Sequence, residues 1–231
     1  MFFFSPMYFV LMLPAMILVG WAQYKVKSAY ARNSEIPAAS GMSGARLARE
    51  LLDGNGLTDV SIEPVAGELT DHYDPRGKVL RLSEGIYGGR SVAAQGIVAH
   101  EVGHAVQDAR GYVPLKLRAG LVPAAQFGSS LGPIFIIIGL IFAAGGAFSS
   151  LMIQLGIIFF TAAVIFQIVT LPVEFNASRR AMAMLSGGGY LQADEYQPAK
   201  QVLSAAALTY LAATLAAIMQ LAYYLLLSRR D

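Results

Sequence analysis

Two of the chain's three histidines stand four residues apart around a glutamate, in the stretch Gly96-Ile97-Val98-Ala99-His100-Glu101-Val102-Gly103-His104-Ala105-Val106-Gln107. This is the His-Glu-x-x-His pattern of zinc hydrolases. On a helix, positions i and i+4 lie one turn apart on one face, so both imidazoles can reach one metal ion while Glu101 addresses a water on that ion. Zinc lowers the pKa of such a water to about 7, where a carboxylate can take its proton. The implied chemistry is metal-assisted hydrolysis, above all of a peptide bond. The same spacing arises by chance on polar helix faces. Here the flanking residues are Ala, Val, Ile and Gly, which favours a buried ionisable cluster over solvent decoration.

Two histidines do not complete a catalytic zinc site, which takes three protein ligands and leaves the fourth position for water. The third ligand is either the remaining histidine, His72, or a carboxylate. Glu174 is our choice. It follows a hydrophobic block in Leu171-Pro172-Val173-Glu174-Phe175-Asn176-Ala177-Ser178-Arg179-Arg180, where Pro172 can open a helix. A helix-opening glutamate is also explained by the macrodipole alone. A carboxylate at a membrane boundary level with the metal helix is nevertheless well placed as a ligand.

The elements that must position these groups belong to a membrane protein. Of 231 residues, 55% are hydrophobic and only 14% charged, and the apolar residues come in blocks. The blocks run from about Phe2 to Ala22, Leu121 to Phe148, Leu151 to Leu171 and Val202 to Leu227, with Gly145-Gly146 near the turn between the second and third. Each is long enough to cross a hydrocarbon core of about 30 Å. The fourth carries Ala205-Ala206-Ala207, Ala212-Ala213 and Ala216-Ala217, small residues that permit close helix contact in a bilayer. A cleaved secretory signal would carry basic residues before its apolar run. Here Lys25 and Lys27 follow it, so a retained anchor is the better reading.

Basic residues then orient the chain. The segment after the first block holds Lys25, Lys27, Arg32, Arg46, Arg49, Arg76, Lys78, Arg81, Arg90, Arg110, Lys116 and Arg118, whereas the turn between the second and third blocks has no Lys or Arg. The long segment is therefore expected in the cytoplasm. Arg179, Arg180 and Lys200 agree with this, while Arg229 and Arg230 at the C-terminus do not. The absence of cysteine is compatible with a cytosolic domain and decides nothing.

Within that segment, apolar residues at Ala45, Leu47, Ala48, Leu51 and Leu52 followed by Gly54 and Gly56 predict a short amphipathic helix from Ser43 to Asp53. Val60 to Val65 and Lys78 to Leu82 read as two strands separated by a turn-rich loop, Thr70 to Gly77. The metal helix is expected to start near Ser91, a good N-cap, and to stop before Gly111. The resulting organisation is mainly α, a polytopic membrane protein of about four transmembrane helices with a small α+β zincin-like domain. Residues 1-24 form the anchor and 25-118 the cytoplasmic metallopeptidase region. Residues 119-173 form a transmembrane hairpin, 174-200 the third-ligand helix and a loop, and 201-231 the last transmembrane helix and tail. No repeat is apparent, and a net charge of +2 argues against nucleic acid as a partner.

Several stretches together resemble the YugP-like membrane zinc metallopeptidases (neutral zinc metallopeptidase type 2) and, more distantly, the HtpX-like and CAAX-prenyl proteases. They are Gly67-Glu68-Leu69-Thr70-Asp71-His72-Tyr73-Asp74-Pro75, Leu82-Ser83-Glu84-Gly85-Ile86-Tyr87, Ala99 to Ala105, Glu174-Phe175-Asn176-Ala177-Ser178, and Ala205-Ala206-Ala207-Leu208-Thr209-Tyr210. The resemblance implies a gluzincin arrangement, with His100, His104 and Glu174 binding Zn2+ and Glu101 as base. In the distant relatives the third-ligand helix often reads Glu-x-x-Ala-Asp, whose aspartate orients a ligand histidine. Ser178 stands there instead. A hydroxyl accepts the same bond without charge, so the contact should be weaker or supplied elsewhere.

Hydrolysis also needs a donor facing the developing oxyanion. His72 and Tyr73 are the leading candidates, although Asp-His-Tyr-Asp-Pro is equally good turn chemistry. Arg179 is a weaker candidate, and Asp194-Glu195 reads as a helix start. The expected activity is a membrane-bound endopeptidase acting on protein or peptide in quality control or processing at the cell membrane. Its partners would be the bilayer and the substrate, with a second copy or another membrane protein allowed. Substrate is expected to add as a strand along Lys78 to Leu82. Two rivals are weighed. An intramembrane protease of the site-2 type would also use a Leu-Asp-Gly such as Leu52-Asp53-Gly54, but Gln95, Gln107, Asp108 and Arg110 on the metal helix suit a membrane surface better. A non-enzymatic scaffold with a structural zinc would be expected to close the site with a fourth ligand, often cysteine, and this chain has none.

Overall fold

A computed structural model describes residues 6–228, and the start of the first block and the Arg229-Arg230 pair lie outside the described residues. In chain order the elements are α1 (Pro6–Ser34), α2 (Gly44–Gly54), β1 (Ser61–Val65), β2 (His72–Asp74), β3 (Val79–Ser83), α3 (Glu84–Tyr87), α4 (Val92–Ala109), α5 (Val113–Ile141), α6 (Ala147–Gly187) and α7 (Tyr196–Ser228). A short 3-10 turn, Ala143–Gly145, joins α5 to α6. The helices α1, α5, α6 and α7 are long and apolar enough to cross a membrane. The protein is thus mainly helical with four candidate spans and one small sheet.

The chain divides into two compact units. One holds the described residues up to Ala22, Lys116–Leu171 and those from Thr209 on. Its helices approach closely where glycine permits. A Cβ at Gly128 would meet the Phe159 carbonyl oxygen at 2.3 Å, and one at Gly139 would meet the Ser149 oxygen at 2.9 Å. The Ser149 hydroxyl donates to the Gly139 carbonyl oxygen at 2.8 Å, which satisfies it inside the apolar contact. Ile136, Ile153, Tyr223, Tyr224 and Leu227 form the buried cluster of this unit.

The other unit comprises Gln23–Leu115 and Pro172–Leu208. Its core joins Leu47, Leu51 and Leu52 of α2, Leu80 and Leu82 of β3, Val98, Val102 and Val106 of α4, and Ala181 and Leu185 of α6. The apolar stripe on α2 is the one its sequence pattern predicts, and Ser43 caps the helix by accepting from the Arg46 N–H at 3.4 Å. Ser91 likewise caps α4, accepting from the Ala94 N–H at 3.2 Å.

Three sequence expectations are corrected. The sheet has three strands in the order β1-β3-β2, with β1 parallel and β2 antiparallel to β3. The turn-rich stretch therefore contains a strand, β2, too short for period-two alternation to show. Both edges of β3 are paired, so Lys78 to Leu82 offers no edge to a substrate. Pro172 does not open a helix either, since it lies inside the continuous α6. A proline there removes one N–H and crowds the carbonyl one turn back, which a helix of 41 residues accommodates.

Candidate metal centre

The stretch of α4 between its two histidines packs against α6 through Gly103. A Cβ added there would stand 2.8 Å from the Ala177 carbonyl oxygen, so only glycine permits this approach. Ala177 is one turn beyond Glu174 on α6, and the approach carries that carboxylate to the histidines. His100 Nε2 lies 3.2 Å and His104 Nε2 3.7 Å from Glu174 Oε2. The three ligand atoms all fall within 4.8 Å of one another. Donors about 2.1 Å from one tetrahedral zinc are separated by about 3.4 Å, so two imidazoles and a carboxylate at these spacings suit such an ion. Glu174 is 2% exposed, and a buried carboxylate of this kind calls for a cation.

The orientation of both rings is held from behind. Ser178 Oγ is 3.2 Å from His100 Nδ1, the contact expected at that position. His104 Nδ1 is 3.0 Å from Gln107 Oε1. The amide of Gln107 has its orientation set, because its Nε2 donates to the Val173 carbonyl oxygen at 2.8 Å and to Asn176 Oδ1 at 3.0 Å. With Nδ1 engaged in this way, each imidazole turns its Nε2 toward Glu174. Asn176 in turn accepts from Arg180 Nε at 2.7 Å.

Gln107 is therefore a site residue that the sequence reading does not assign to the site. Gln95 and Gln107 are both fully buried. Gln95 donates to Ser40 Oγ. The signal for Gln107 was present in its spacing, one helical turn beyond His104 and two beyond His100, which puts it on the same face.

Glu101 sits beside the ligand cluster and is almost wholly buried. Burial pushes its carboxyl above the usual range, opposed by the nearby histidines. Burial would raise Glu174 too, but hydrogen bonds from His100 and His104 hold it well below the ordinary value. On His104 the balance reverses: burial disfavours the charged ring, yet the carboxylates of Glu174 and Glu101 raise its pKa. The two carboxylates and the histidines thus form one electrostatic cluster with a strong demand for positive charge.

The remaining candidates separate along β2. Tyr73 donates its backbone N–H to Glu101 Oε2 at 3.1 Å, and its hydroxyl donates to Asp108 Oδ2 at 3.0 Å. Burial, reinforced by Asp108, raises the Tyr73 phenol. His72, on the opposite face by strand alternation, is exposed, with Nδ1 2.8 Å from the Thr70 carbonyl oxygen. It is not in the ligand cluster. Arg179 is exposed. Glu195 starts α7 as expected, its carboxylate accepting from the N–H groups of Gln192 at 2.8 Å and Ala39 at 2.6 Å.

Comparison with known proteins agrees with this arrangement. A protein of Bacillus subtilis (strain 168) named "Putative membrane protease YugP" is 45% identical over 221 residues, which cover 96% of each chain. No solved structure matches. The model of one protein family matches residues 8–229, nearly the whole length including α4 and α6, and the chain therefore belongs to the family described as "Putative neutral zinc metallopeptidase".

Proposed function

We propose that this chain is a membrane-anchored, zinc-dependent endopeptidase whose metal-site unit faces the cytoplasm, where it cleaves membrane or membrane-proximal polypeptides in quality control or processing. The observation that carries the reading is the convergence of His100, His104 and Glu174 beside the buried carboxylate of Glu101. Zinc held by those three side chains would supply Lewis acidity to a water and to the scissile carbonyl. Glu101 takes the proton of the attacking water and returns it to the leaving amine. The N–H of Tyr73 fixes one oxygen of Glu101 and leaves the other for that exchange. The basic residues between the first and second spans support the cytoplasmic orientation.

A site-2-type arrangement finds less support, because α4 is not among the helices long and apolar enough to span. The deciding experiment is zinc analysis of the detergent-purified protein together with cleavage of an unfolded membrane-protein substrate. Wild type should hold about one zinc per chain, His100→Ala and Glu174→Ala should lose it, and Glu101→Gln should keep it without cleaving. Full zinc occupancy in Glu174→Ala would remove that residue from the ligand set. A wild type that takes up no zinc on reconstitution would overturn the proposal.

A further inference from the structure

Away from the ligand cluster, Arg110 at the end of α4 and Arg180 on α6 line one cavity of about 240 Å3 with Asn55, Val106, Ala183 and Met184. Val106 and Arg110 lie on a different face of α4 from His100 and His104, so the cavity is distinct from the metal centre. No lining residue is acidic. Two guanidinium groups thus share one concavity with no carboxylate among its described lining residues, an arrangement that favours a bound anion. Arg180 is preorganised for this. Its Nε is committed to Asn176 Oδ1 at 2.7 Å, which holds the planar group and leaves the terminal nitrogens for a ligand.

We infer that Arg110 and Arg180 form a binding site for a phosphate-bearing anion. A carboxylate satisfies a single arginine fork with its two oxygens, whereas a phosphate offers enough oxygens for two forks at once. Arg180 follows the apolar part of α6, where phosphate is available both from phospholipid headgroups and from soluble phosphate esters. The inference does not depend on the metal centre or on peptidase activity.

The test uses the full chain in two arms. In detergent, thermal unfolding is followed against inorganic phosphate and glycerol phosphate, with chloride at equal ionic strength as reference. In nanodiscs, native mass spectrometry counts retained phosphatidylglycerol against phosphatidylcholine. Arg110→Gln should weaken binding about tenfold. Arg179→Gln removes the same charge from the neighbouring exposed position and should change it little. Arg110→Gln leaves the Arg180–Asn176 bond intact, so its effect is read without disturbing that contact. A shift in the first arm assigns a soluble ester and selective retention in the second a headgroup, and either supports the site. No response above chloride and phosphatidylcholine would overturn it. Equal losses in Arg110→Gln and Arg179→Gln would also overturn it, by reducing the effect to diffuse surface charge.

Discussion

Replacing Gln107 with leucine tests whether the hydrogen bond behind His104 matters for metal capture. The substitution keeps a buried side chain of similar reach but deletes the acceptor 3.0 Å from His104 Nδ1 and the donors to Val173 and Asn176. Loss of a partner behind a metal-bound histidine costs about 10- to 100-fold in affinity, or about 1.4 to 2.8 kcal/mol. Loss of the buried amide's bonds to Val173 and Asn176 costs about 1 kcal/mol each in stability, a fall of several degrees in Tm for a chain of this size. Zinc affinity, measured by competition with a chromophoric chelator, should therefore drop by one to two decades while the protein stays folded. Gln107→Glu retains an acceptor for the imidazole and should recover most of the affinity. Wild-type zinc affinity in Gln107→Leu would refute the reasoning, because it would show that packing alone orients His104.

Further outcomes follow from other contacts. Gly103→Ala places a Cβ 2.8 Å from the Ala177 carbonyl oxygen, and should cost about 1 to 3 kcal/mol in stability and lower zinc affinity by forcing α4 from α6. Thermal melts and chelator competition check both. Tyr73 has a phenol pKa raised above the ordinary 10.0 by burial and by Asp108. Its stabilising contribution is whole below that value and is lost as pH rises through the folded-state pKa. Wild-type Tm should therefore fall in alkali above about pH 10, more steeply than that of Tyr73→Phe; parallel profiles would count against the buried Tyr73–Asp108 contact. Glu195→Ala leaves the Ala39 and Gln192 N–H groups without their acceptor and should destabilise by about 2 kcal/mol, visible as a lower Tm with zinc affinity unchanged.

Much of this was legible along the chain. The four apolar helices, the α2 stripe and the Ser43 and Ser91 caps are local patterns, readable because burial and capping act over one or two turns. His100, Glu101 and His104 form a motif for the same reason: helical periodicity places them together whatever else the chain does. Tertiary packing supplied the rest. Glu174 meets the histidines because Gly103 lets α4 and α6 touch. The strand β2, recruited by β3 rather than specified by its own three residues, presents the Tyr73 N–H to Glu101 and turns His72 outward. Gln107 looks polar in sequence and is buried because its amide is satisfied across two helices. Sequence by itself determined the membrane class and the local half of the site, since those depend on composition and on spacing within one helix. Structure decided the approach of Glu174 to the histidines, the strand beside Glu101 and the Ser178 contact to His100, because each joins residues distant in the chain whose meeting is a property of packing.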